Sequence, residues 1–258
     1  MTTPKIRLIG RLQVDIAEIA AFLKDQNLEW RRTPGATIPE ELVEVAGRIC
    51  YMSFGSAQSP RTNRDFIMNL ITQGHESVLE HASWTFLITN ISRAFTHQLV
   101  RHRVGFAFSQ LSQQYHDERD AEFVMPAHLE SFPEAKEAWE KAIRTTLQAY
   151  SSINALLSQN GGPMSEDLEK RELTRAIRSA ARSVLPNATE TKIVMSANAR
   201  ALRHFFQVRG TIPGDIEMRL VAAELLSIVA NEAPSIFLDF RIDHLLDGSP
   251  IIRRHRST

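Results

Sequence analysis

The chain has 258 residues, 30 Lys and Arg against 30 Asp and Glu, and a hydrophobic fraction of 43%. That length suits one large domain or two small ones, with roughly 70–75% of the unfolded surface buried, and zero formal charge speaks against a nucleic-acid coat or a protein held on a membrane by charge. One cysteine, Cys50, excludes an internal disulfide framework and a multi-cysteine zinc site; with no long apolar run and no signal-like N-terminus, the expected compartment is the cytoplasm.

In chain order, Ile6–Ile9 reads as a peripheral strand and Asp15–Lys24 as a helix. A loop with two prolines, Arg31–Pro39, closes this N-terminal segment of residues 1–40. Glu40–Tyr51 has helical spacing at Leu42, Val45, Ala46 and Ile49. Ser53–Thr62 is a loop and Arg64–Thr72 a further helix. Trp84, Phe86 and Ile88 alternate with Ser83, Thr85 and Leu87, so Ala82–Ile91 is a strand. Ser92 is the N-cap of a helix expected to continue through Arg103. Pro133–Gln159 is a long helix, broken by Gly161-Gly162-Pro163, with another from about Ser165 to Val184. Thr191–Ser196 is a short strand before a helix over Asn198–Val208. The last long helix, Gly214–Asn231, is apolar around most of its girth and is expected to be buried. Arg253–Arg256 reads as a frayed basic tail. Few strands separated by many helices give an α+β class, in a single domain over residues 1–258.

Five of the nine histidines fall between His75 and His116. His75 and His81 are six residues apart, a rotation of ~600° on a helix, so they do not share a face as helical metal ligands would. The segment fits a loop tying down its own backbone or one that binds an anion or cofactor. In His97–Arg103, a helix would present Gln98 and Arg101 together while Phe95, Leu99 and His102 pin the other face. Gly105, Ser109, Gln110, Ser112, Gln113 and Gln114 follow, a run of amides and hydroxyls suited to a flat, hydrogen-bonding ligand. Of the 30 cations 24 are Arg, whose planar fork matches phosphates and carboxylates. Arg182, Arg200 and Arg209 have no acid at i±4, and Arg200 shares a helix face with His204. No P-loop, dinucleotide-binding or hydrolase-elbow motif is present.

Arg101-His102-Arg103 followed by Ser112, together with Gly74–His81, Ala181–Thr191 and Asn198-Ala199-Arg200 with Arg203-His204-Phe205, resembles the flavin-dependent thymidylate synthases over roughly Val45 to Phe240. The resemblance implies that family's fold, an antiparallel sheet flanked by several helices, in a homotetramer whose subunits share sites. It implies an enzyme that carries out reductive methylation of dUMP to dTMP, with methylenetetrahydrofolate as carbon donor, FAD as cofactor and NADPH as reductant, and without metal, nucleic acid or membrane. Carried over, His75, Ser77, Glu80, Arg101, His102, Arg103, Gln110, Asn198, Arg200 and His204 are flavin-site residues. Gln98, Arg101, Gln110, Ser112, Gln113, Gln114, Arg182 and Arg209 contact the nucleotide, Arg182 from a neighbouring subunit. Arg209 and Ser112 are the catalytic candidates: Arg209 polarises the uracil, and Ser112, with no paired base in sequence reach, serves as a phosphate or ligand contact rather than a nucleophile.

Four departures stand out. Eight residues, Val104–Leu111, separate Arg103 from Ser112, where the family usually has seven. Gln114 stands where Arg is common, Pro213 where many members have His, and Cys50 where Ser is frequent. A relative that methylates UMP is the alternative reading, and a noncatalytic nucleotide- or RNA-binding protein the remoter one. Neutral charge and the lack of an aromatic stacking motif weigh against the latter.

Overall fold

A computed structural model describes residues 3–58, 62–160 and 169–255. Strand β1 (Lys5–Arg11) leads to helix α1 (Ile16–Asp25), whose N-cap Asp15 accepts from Ala17 and Glu18 backbone N–H groups. Helices α2 (Ile38–Ile49) and α3 (Asn63–Thr72) follow. α3 starts on a reciprocal cap, in which Thr62 Oγ1 accepts from Asp65 N and the Asp65 carboxylate accepts from Thr62 N. Strand β2 (Ser83–Ser92) alternates buried and half-exposed side chains as read from the sequence. Ser92 then caps α4 (Arg93–Leu99) through Phe95 N.

α4 ends at Leu99, one turn short of the expected Arg103. Arg101 N bonds back to Gln98 O at 3.4 Å, and Gly105, at φ 74°, turns the chain into strand β3 (Phe106–Gln110). This strand lies inside the polar run and was not expected there. Its signal is a weak alternation, with Phe106, Phe108 and Gln110 inward and Ala107 and Ser109 outward. Pairing with the next strand decides the conformation: Leu111 N donates to Lys192 O and Asn198 N to Gly105 O.

α5 (Pro133–Asn160) and α6 (Lys170–Ala181) precede strand β4 (Glu190–Asn198) and helices α7 (Ala199–Arg209), α8 (Ile216–Glu232) and α9 (Pro234–Phe237). The Gly161-Gly162-Pro163 break and the expected start at Ser165 lie outside the described residues. β4 extends beyond the expected Thr191–Ser196 at both ends. The chain closes with an antiparallel hairpin, β5 (Phe240–His244) and β6 (Pro250–Arg254). Arg253 and Arg254 are therefore paired strand residues and not a frayed tail: Arg254 sits opposite Phe240 and Ile252 opposite Ile242.

The main sheet has the order β1-β2-β4-β3. Its neighbours run antiparallel, as Thr85 faces Ser196 while Asn90 faces Glu190 on β2 and β4. The same reversal holds for Gly105 with Asn198 and Leu111 with Lys192. The α+β class with an antiparallel sheet flanked by helices is what the structure has.

Packing divides the chain into two compact units. One holds Ile88–Arg101 and Ser109–Val194 with the first few residues; the other holds Ile6–Leu87, His102–Phe108 and Met195–Thr258. In the first, α5 and α6 pack together, and the buried Tyr150 hydroxyl accepts from Glu118 N. In the second, Trp84, Phe205, Phe206 and Phe237 are buried, with Phe237 tilted against both Trp84 and Phe206 at 5.9 Å. Each such ring contributes roughly 1.5–3 kcal/mol through the apolar area it removes from water. α8 is buried along most of its length, as its girth of apolar residues requires. Among the described residues no helix is long and apolar enough to cross a membrane.

Candidate active site

In the second unit, Gly74 at φ 73° ends α3 and starts the loop that carries three predicted residues. Glu76–His81 forms a 3-10 helix with Leu79 fully buried. With three residues per turn, that anchor leaves His75, Ser77 and Glu80 exposed. The Glu80 carboxylate accepts from Arg200 on α7, 120 residues away. Arg200 thus has an acid partner, which its empty i±4 positions did not reveal.

α7 begins on Asn198, whose side-chain oxygen accepts from Ala201 N at 2.8 Å. Arg200 and His204 share an exposed face, while Arg203 between them is buried. At the other end of α7, Arg209 Nε donates to His102 Nε2 at 3.1 Å. The His102 ring is half-buried, 5.3 Å from Phe205 and 6.1 Å from His204. Burial first, then the charges of Arg209 and His204, hold its pKa below 6.5. Arg209 can only donate, so Nε2 must keep its lone pair and a neutral ring carries its proton on Nδ1. Arg103 is exposed, and its side chain has no hydrogen bond or ion pair among the described residues.

In the first unit, Gln110 Nε2 donates to Thr96 Oγ1 at 3.0 Å and Thr191 Oγ1 at 3.3 Å. Gln98 is half-buried on α4 and Arg101 exposed just beyond it. Ser112 opens a turn closed by His116 N donating to Ser112 O, and its Oγ accepts from Gln114 N at 3.4 Å. No base among the described residues holds that hydroxyl. Gln113 is 6% exposed, and its side-chain Nε2 is buried without a hydrogen-bond partner. Gln114 accepts from Arg175 Nε and donates to Ser179 Oγ, so it is tied to α6.

Arg182, at the C-cap of α6, acts electrostatically on a residue the sequence reading passed over, Arg93. Arg93 is half-buried, and its pKa is lowered by burial and by Arg182's charge, against the opposing pull of Glu118. Among the described residues neither guanidinium is hydrogen-bonded to an acid, an arrangement that suits an anionic group. The available signal was Arg93's position as the first residue of α4, where the helix dipole disfavours a cation. Glu118 is buried, its pKa raised by burial, and it lines a cavity of about 250 Å³ with Leu111, His116 and Glu190. Cys50 is exposed at the end of α2, its Sγ 3.3 Å from Ala46 O.

Residues 35–235 match the family model described as thymidylate synthase complementing protein. A flavin-dependent thymidylate synthase of Mycobacterium avium is 40% identical over 245 residues, covering 94% of this chain and 95% of its own. Those of Mycolicibacterium gilvum and Mycobacterium tuberculosis are 41% and 40% identical, over 94% and 93% of this chain and 95% and 94% of theirs. With more than half of its length matched by that model and relatives of this identity aligned nearly end to end, the chain belongs to the thymidylate synthase complementing protein family.

Proposed function

We propose that this chain is a flavin-dependent thymidylate synthase, converting dUMP to dTMP with methylenetetrahydrofolate as carbon donor and NADPH as reductant. The single observation that carries the nucleotide is the half-buried Arg93–Arg182 pair, neither of which is hydrogen-bonded to an acid among the described residues. In this reading the pair serves a homotetramer in which Arg182 reaches a neighbouring subunit's nucleotide. Gln98, Arg101, Gln110, Ser112, Gln113 and Gln114 complete the nucleotide contacts.

The donor set fits FAD. The exposed Arg103 guanidinium, without an acid partner, suits a diphosphate, and His75, Ser77 and Glu80 stand on one short loop. His102, Asn198, Arg200 and His204 supply the rest, with Arg101 and Gln110 shared between the two ligands. When bound, FAD supplies the hydride that reduces the transferred carbon.

Making C5 of the pyrimidine nucleophilic places negative charge on its carbonyls, and a guanidinium stabilises that charge without losing a proton. Arg209 is suited to this because the bond from its Nε to neutral His102 fixes the plane of its fork. Ser112 holds the ligand and does not act as a nucleophile, since no base among the described residues is placed to take the proton of its Oγ. The reading is tested by the absorbance of purified protein near ~450 nm and by paired turnover assays with dUMP and UMP. Protein that stays colourless after reconstitution with FAD refutes it; more efficient methylation of UMP replaces the substrate.

A further inference from the structure

The β5–β6 hairpin lies beyond the matched residues 35–235, yet it grips two segments that carry the proposed ligand contacts. The first grip is ionic. Arg254 Nε on β6 donates to Asp239 Oδ2 at 2.7 Å, and Asp239 also accepts both terminal nitrogens of Arg203 at 2.7 and 2.8 Å. Arg203 and Asp239 are almost wholly buried, with side chains 1% and 3% exposed. Burial alone would raise the Asp239 pKa, but the two arginines bring it below the usual carboxylate range. Glu76 completes the chain, its Oε1 3.9 Å from Arg254 and 4.0 Å from Arg203 Nε, an atom that is buried without a hydrogen bond. Glu76 stands between His75 and Ser77.

The second grip is steric and backbone-mediated. Ile252 N on β6 donates to Gly210 O at 2.9 Å, and Gly210 follows Arg209 directly. A Cβ on Gly210 would lie 2.6 Å from Ile252 Cδ1, so the strand rests against the end of α7. Arg219 ties the far side of the same turn to the hairpin loop, donating to Ile212 O at 3.2 Å and Ser249 Oγ at 2.6 Å.

We propose that the C-terminal hairpin is a positioning element of the active site, which holds the His75–Glu80 loop through Arg254 and the Arg209 turn through Ile252. Neither residue is among the proposed ligand contacts. A buried bidentate pair contributes more to fixed geometry than to net stability, because desolvation offsets most of its attraction. The reading of the two segments as flavin and nucleotide contacts rests on the function proposed above; the bracing itself does not.

The test uses full-length Arg254→Gln, Arg254→Lys and Ile252→Ala, with Ile252→Val as the milder substitute should the alanine variant fail to fold. Amide hydrogen exchange is measured without and with FAD, alongside FAD affinity and the separate kcat and KM. Arg254→Gln is expected to speed exchange across Gln73–Ala82 by about 10-fold or more and to weaken FAD binding, with Arg254→Lys restoring part of both. Ile252→Ala is expected to speed exchange across Val208–Gly214 and lower kcat while FAD affinity holds. Unchanged exchange in these segments, or a rise spread evenly over the whole unit, overturns the proposal. The segment-selective pattern in a protein that binds no FAD upholds the brace and refutes the assigned activity.

Discussion

Replacing Gly105 by Ala measures how far the fold depends on the junction between the Arg-His-Arg turn and α7. Gly105 sits at φ 74°, which costs an L-residue about 1 kcal/mol. The added Cβ would lie 2.7 and 2.8 Å from the side-chain amide of Asn198 and 2.8 Å from Ala201 Cβ. That amide is the cap of α7, and displacing it forfeits about 1 kcal/mol, while forcing a carbon into a filled space costs about 1–3 kcal/mol. The expected loss is therefore about 3–5 kcal/mol. Gly74 is the internal control, because it has φ 73° and nothing within 4 Å of an added Cβ. Gly74→Ala should lose only the conformational part, about 1 kcal/mol. Urea unfolding of both variants at one protein concentration, followed by far-UV circular dichroism, gives the comparison. Equal losses in the two variants would show that Asn198 yields freely and that the close approach carries no energy.

Arg209→Lys keeps the charge but removes the fork held by His102, and dUMP-dependent turnover should fall at least ~10-fold, about 1.4 kcal/mol, with flavin still bound. Cys50→Ala should leave turnover unchanged in a steady-state assay, since the thiol lies exposed at a helix end against a backbone carbonyl. Gln114→Arg should loosen α6, seen as a lower melting temperature, because it sets a second guanidinium against Arg175, which now donates to Gln114. His102 titrates below 6.5 when folded, so between its folded pKa and 6.5 the unfolded chain binds more protons and stability rises with pH. Denaturant titrations across that window should show a slope that flattens in His102→Gln.

Where one face of an element is apolar, the sequence was readable: β2 through Trp84, Phe86 and Ile88, and α8 through its apolar girth. β3 was hidden because its outward positions, Ala107 and Ser109, and its inward Gln110 are polar or small, and its conformation comes from pairing with β4. The hairpin was hidden for a related reason. Arg253 and Arg254 are charged, and only the neighbours they meet, Asp243 for one and Asp239 for the other, make them strand residues. Local spacing likewise found the members of the site and missed their partners. Glu80 and Arg200 are each quoted in separate motifs, and nothing within four residues of either points to the other. Arg93 escaped because its significance lies in a second arginine 89 residues on, across a distance only the fold closes.

The Arg93–Arg182 pair also bears on the electrostatic balance of the ligand-free protein. Both cations are half-buried, and Arg182 repels Arg93 while Glu118 attracts it, so two positive charges face one buried acid in the ligand-free protein. An incoming anion would add to the pull that Glu118 already exerts on Arg93 and ease the repulsion from Arg182. Salt should therefore weaken ligand attraction and ease the strain of the ligand-free state together, since both rest on the same two charges.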